Sequence, residues 1–149
     1  MGYDGGFQAI HTGPLMIDHV SIPVRDLDGS AAFYDAVLAE LGLVRRKERT
    51  GAIGYGPASR SAPVFWILAM EEGCARAGTG LHVSLQAGSR AQVDAFFRTG
   101  LRHGGTDAGE PGLRPQYTMP FYGAFLLDPD GFKVEAVCRR EPLPDDPHQ

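Results

Sequence analysis

A chain of 149 residues with 43% hydrophobic and 21% charged side chains has an ordinary globular composition, which excludes disorder of the whole chain. Its net charge of −4 comes from 18 acidic and 14 basic residues scattered along the sequence, with no basic block to neutralise a row of phosphates, so nucleic acid is not an expected partner. No apolar run approaches the roughly 18 to 20 residues of a membrane span, and the N-terminus lacks the regions of a signal peptide; a soluble, cytoplasmic chain with no membrane partner is expected.

In chain order, residues 1–15 hold four glycines and no apolar periodicity and read as a flexible leader. One domain is expected over residues 16–140, built of two modules at about 16–72 and 79–140, and residues 141–149, with three prolines and three acidic residues, read as a frayed tail. Residues 17–24 alternate as a strand, with Asp18, Val20, Ile22 and Val24 on a mostly apolar face and Ile17, His19, Ser21 and Pro23 on the other. Asp28 or Ser30 is a candidate cap for a helix through about Leu41, which buries Phe33, Ala36, Val37 and Leu41 and stops at Gly42. Short strands are expected at 43–49, 52–55 and 64–70. The first module thus reads βαβββ.

The second module repeats the first. His19-Val20-Ser21-Ile22 precedes Phe33-Tyr34 as His82-Val83-Ser84-Leu85 precedes Phe96-Phe97, with 14 positions from histidine to first aromatic in each copy and 63 between the copies. Leu81, Val83 and Leu85 form one strand face, and His82, Ser84 and Gln86 the other. Ser89 and Gln92 have capping-box spacing for a helix that packs Val93, Phe96, Phe97 and Leu101 and ends at Gly104-Gly105. A loop through 111–115 leads to strands at 121–127 and 132–138, joined by the hairpin Asp128-Pro129-Asp130-Gly131. The fold class is therefore α+β, with two βαβββ modules. Cys74 and Cys138 form no Cys-x-x-Cys pair and read as ordinary thiols in a reducing compartment.

Pairing Leu127 with Phe132 across the hairpin sets Ala124 opposite Glu135 and Tyr122 opposite Val137, so that Tyr122 and Glu135 share a surface. A mid-strand carboxylate at Glu135 is costly to bury without a cation or a solvent-filled cavity. Matched parity in the two copies suggests that His19 and His82 approach each other. Two imidazoles and one carboxylate suit a divalent metal with positions left open for a ligand; a metal-free polar cavity is the alternative. Trp66, Tyr117, Phe121 and Tyr122 are candidate pocket walls, and Arg114 is a candidate grip for a substrate carboxylate. His103 reads as a cation at a helix C-terminus, and Asp128 and Asp130 as turn formers.

The duplicated βαβββ plan, the His-Val-Ser strands, the Asp-Pro-Asp-Gly hairpin and the closing Lys133-Val134-Glu135-Ala136-Val137 strand resemble the vicinal oxygen chelate superfamily over about residues 16–140. That group includes glyoxalase I, bleomycin and fosfomycin resistance proteins, methylmalonyl-CoA epimerase and extradiol dioxygenases. The resemblance implies curved sheets forming an open cup, a homodimer, and a small-molecule substrate that chelates a metal through adjacent oxygens. It implies metal ligands at His19, His82 and Glu135, with Glu135 and Tyr122 as candidate catalytic groups and iron, manganese, zinc or nickel as the ion. The family's fourth ligand position falls at Trp66, which is no carboxylate; a slipped register would instead offer Glu71 or Glu72. A three-ligand set resembles the dioxygenases and fosfomycin resistance enzymes more than glyoxalase I. The expected function is a metal-dependent small-molecule enzyme of the glyoxalase or dioxygenase type; the alternative is a metal-free sequestering protein of the bleomycin-resistance type.

Overall fold

The computed structural model describes residues 17–71, 80–117 and 120–141, so the leader, all of the tail but Glu141, and the candidates Glu72 and Cys74 lie outside the described residues. The first half runs β1 (Val20–Val24), α1 (Leu27–Ala39), β2 (Leu43–Arg49), β3 (Ala52–Pro57) and β4 (Phe65–Ala69). The second runs β5 (His82–Gln86), α2 (Arg90–Arg102), β6 (Thr106–Leu113), β7 (Tyr122–Leu127) and β8 (Lys133–Cys138). Each half makes one four-stranded open sheet, in the orders β1-β4-β3-β2 and β5-β8-β7-β6, with one parallel pair and two antiparallel pairs. The fold is α+β, with the two βαβββ modules read from the repeat.

Each helix lies on one face of its own sheet, and the halves meet chiefly where α1 packs against α2. Alternation decides what faces the helices: Ile22, Val24, Ile53, Tyr55, Phe65 and Ile67 from the first sheet join Ala124, Leu126, Val134 and Ala136 from the second in one core. Asp26, rather than Asp28 or Ser30, caps α1: its backbone is extended and its carboxylate accepts the Gly29 N–H at 3.1 Å, while Ser30 is already buried within the first turn. Ser89 caps α2 through the Gln92 N–H at 3.2 Å, and the Gln92 side chain reaches back to the Gly88 N–H at 2.6 Å. His103 stands at the C-cap of α2, Nδ1 2.9 Å from the Thr99 carbonyl.

Two further expectations are corrected. The stretch read as a loop through 111–115 begins inside β6, whose Gly109, Pro111 and Gly112 are accommodated because the strand is at the sheet edge and its register shifts twice. The hairpin register is also one residue off: Leu127 pairs with Lys133, Phe125 with Glu135, and Tyr122 with Cys138. The cause is Asp128. Its carboxylate accepts the N–H groups of Asp130 at 2.9 Å and Phe132 at 2.7 Å, which draws Phe132 into the turn, while Gly131 takes a left-handed φ of 85°. A slip of one residue exchanges the faces of a strand.

The same aspartate ties the halves together. Tyr34 on α1 donates its buried hydroxyl to Asp128 at 2.7 Å, and the Arg25 N–H reaches Asp130 at 2.8 Å. Burial pushes the Asp128 carboxyl above its ordinary range, against the opposing pull of the Tyr34 hydroxyl and the two turn N–H groups.

Candidate functional site

Glu135 is central to the site. It lies mid-strand on β8, 3% exposed, with its neighbours Val134 and Ala136 turned toward the helices. Alternation sends its carboxylate to the other face of the sheet. There Oε2 sits 3.3 Å from His82 Nε2, and Oε1 is buried with no hydrogen-bond partner among the described residues. An ionised carboxylate in that condition is expensive unless a cation or proton donor completes it. Gly123 makes the space: a Cβ there would stand 3.3 Å from Oε1 and 2.9 Å from the Phe121 ring.

Around this pair the sheet face is aromatic and cationic. Phe125, the cross-strand neighbour of Glu135, is 8% exposed; its ring centroid lies 6.1 Å from that of His82 in an edge contact, 4.7 Å from Lys133 Nζ and 5.9 Å from Arg114 Cζ. Arg114 also donates to the Glu110 carbonyl at 2.6 Å. Phe121 is buried beneath Arg139 Cζ at 4.6 Å and meets the exposed Tyr117 ring at 5.1 Å. Sequence reasoning missed Phe125 and Lys133. Simple alternation from Glu135 along β8 and across to β7 marks both once the hairpin register is right.

Tyr122 is placed differently from expectation. On the helix-facing side of β7, it donates its hydroxyl to Asp94 of α2 at 2.8 Å, and Arg90 lies over its ring at 5.3 Å. The one-residue slip at the hairpin is the reason, and Tyr122 does not share the Glu135 surface.

The first half presents a matching face with other chemistry. Ser21 pairs with Trp66 across β1 and β4 as Ser84 pairs with Glu135 across β5 and β8, so Trp66 occupies the place of the carboxylate. Its indole is 8% exposed, with Arg49 Cζ 4.7 Å from the ring centroid. His19, just before β1, is exposed, and its Nδ1 contacts Asp18 at 2.6 Å. With Nδ1 engaged, Nε2 is the ring nitrogen left open. Within one chain His82 and Glu135 come together and His19 does not join them: no three His, Cys, Asp or Glu side chains among the described residues are grouped to hold a metal. Glu71 is exposed beyond the end of β4.

Comparison with known proteins gives the arrangement its family. Residues 16–136 match the model of the Glyoxalase/Bleomycin resistance protein/Dioxygenase superfamily. A glyoxalase/bleomycin resistance protein from Albidiferax ferrireducens T118 is 35% identical in sequence, with 84% of this chain and 100% of that chain covered and a TM-score of 0.74. Two more distant structures share the fold. A glyoxalase/bleomycin resistance protein/dioxygenase family enzyme from Burkholderia phytofirmans PsJN is 18% identical (83% and 98% covered, TM-score 0.65). A glyoxalase I mutant from Zea mays is 20% identical (81% and 46% covered, TM-score 0.63). A search of curated proteins found no match. With the duplicated fold and a family match over most of its length, the chain belongs to the Glyoxalase/Bleomycin resistance protein/Dioxygenase superfamily.

Proposed function

We propose that the protein is a metal-dependent small-molecule enzyme of the glyoxalase or dioxygenase type, whose divalent ion is held by His82 and Glu135 of one copy and His19 of a second. The observation that carries this reading is the buried Oε1 of Glu135, without a partner among the described residues, beside an imidazole. Such a donor pair fits a borderline cation, and a third ligand is the usual minimum for a site that keeps positions open to substrate. His19 and His82 stand at the starts of β1 and β5, the edge strands of their sheets, so a second copy is able to bring one edge beside the other. When bound, the ion supplies polarisation of two adjacent substrate oxygens and stabilises the negative charge that develops on them.

The chain's own residues do the remaining work. Glu135 Oε2 and His82 Nε2 stand 3.3 Å apart, close enough to share one ion, and Glu135 holds charge in a place from which the sheet excludes water. Phe125 and Phe121 give the ligand an apolar floor, and Trp66 gives a planar wall on the equivalent face of the first sheet. A second reading, metal-free sequestration of a planar ligand, draws support from Trp66 standing where a fourth ligand would be and from the absence of a three-donor group among the described residues of one chain.

Elemental analysis of the purified protein, with sedimentation to read its oligomeric state, separates the two. About one divalent ion per chain in a dimer, lost in His19→Ala and in His82→Ala, is the expected result. A metal-free protein that binds catechol equally well with and without added manganese(II) would give the sequestering reading instead.

A further inference from the structure

We infer that the ligand carries a carboxylate, received between Lys133 and Arg114 over the ring of Phe125, at the edge of the Glu135–His82 pair. Both cations lie within 6 Å of the same ring centroid, at 4.7 Å and 5.9 Å, and that ring is 8% exposed. Neither forms an ion pair among the described residues, and Glu135 is paired with His82 rather than with either of them. Arg114 commits one N–H to the Glu110 carbonyl, which fixes the head and leaves further donors in its planar fork. The guanidinium and the ammonium lie against one phenyl ring, and both side chains are half-buried. Two positive charges converging on one ring match a planar oxyanion, to which Arg binds bidentately and Lys as a point charge. The aromatic floor adds that the group attached to the carboxylate is flat.

This inference rests on the proposed function only for the position of the ligand's other end. Its test compares catechol with 2,3-dihydroxybenzoate by calorimetry, on wild-type protein and on Lys133→Met and Arg114→Met, with manganese(II) present and after metal removal. The two probes differ in their own chelating strength, so the quantity read is the change in their affinity ratio between wild type and variant. The ratio should fall about tenfold in each variant, with the affinity for catechol nearly unchanged. An unchanged ratio in both variants overturns the inference. Should either variant melt early, the wild type decides: raising salt from low to physiological strength must weaken the carboxylate probe more than catechol, and equal weakening overturns it. Loss of both probes on metal removal is the signature of the metal reading. A carboxylate preference that survives metal removal leaves the inference standing and removes the proposed function alone.

Discussion

The two halves of the molecule use the same backbone pairing to opposite chemical ends. In the first, the rung through Ser21 carries Trp66 on β4 and Gly54 on β3; in the second, the equivalent rung through Ser84 carries Glu135 on β8 and Phe125 on β7. Each rung holds one large ring, but on different strands. Where the ring sits on the strand next to the histidine strand, it covers the rung and makes a wall. Where it sits one strand further out, the inner place is free for a carboxylate that a neighbouring imidazole can reach. A duplicated module therefore diverges from wall to donor by exchanging two side chains, with no change of fold.

The largest effect in breaking that contrast is expected from Glu135→Gln, which keeps the shape of the donor half and removes its charge. Metal affinity should fall about 100-fold or more by calorimetry, while the metal-free melting temperature holds or rises because a buried unpaired carboxylate oxygen is gone. A variant that retains full metal affinity would mean that the donor half holds no ion.

Trp66→Glu makes the wall half resemble the donor half. Losing a large buried ring should cost about 3 kcal/mol in denaturant unfolding, and the added carboxylate should tighten metal binding. Turnover of methylglyoxal with glutathione should be negligible in the wild type and should rise in this variant. Robust wild-type turnover would show that Trp66 does not substitute for a needed carboxylate.

Gly54→Ala tests why the wall lies flat. A Cβ at this position would stand 2.7 Å from Pro63 and 2.9 Å from the Trp66 ring, so the ring must move; a loss of about 1 to 3 kcal/mol is expected, with a shift in Trp66 fluorescence. Unaltered fluorescence and stability would mean that the indole has room the close packing denies it.

The smallest effect, outside both rungs, is expected from Tyr34→Phe, which leaves Asp128 without its buried hydroxyl partner and should cost about 1 to 2 kcal/mol at neutral pH. Burial and the Asp128 charge hold the Tyr34 hydroxyl well above its ordinary range. The folded state therefore keeps that proton longer than the unfolded chain. Stability from this group is present below about pH 10 and declines as pH rises beyond it. The variant should show a shallower alkaline decline than the wild type, the remainder coming in part from Tyr55, which burial also raises. Equal slopes would remove Tyr34 from the account.

Much of this was legible in the sequence because repetition and parity are local signals. The matched spacing in the two copies marked the modules, alternation put His82 on the side that holds Glu135, and the family resemblance pointed to Trp66 as the counterpart of Glu135, which the strand pairing bears out. The hairpin misled for a physical reason: pattern alone does not reveal that Asp128 gathers two N–H groups and pulls Phe132 into the turn, and one residue there carried Tyr122 to the helices. Strand β6 was hidden because Gly109, Pro111 and Gly112 read as loop, although an edge strand tolerates them. The contact between Tyr34 and Asp128 spans 94 positions, a separation at which no local pattern speaks.

That bond also bears on how the protein comes into being at the ribosome. The first half can assemble its sheet and helix as soon as residues 17–71 have emerged, yet the side of α1 that meets α2 stays uncovered until residues 90–102 follow, and the hydroxyl of Tyr34 lacks its Asp128 acceptor until the last hairpin is translated. A nascent chain paused before residue 90 would hold a sticky half-molecule, attractive to chaperones or to a neighbouring nascent chain at the same stage. Completion of synthesis, rather than closure of either sheet, is then the event that commits the chain to its native state.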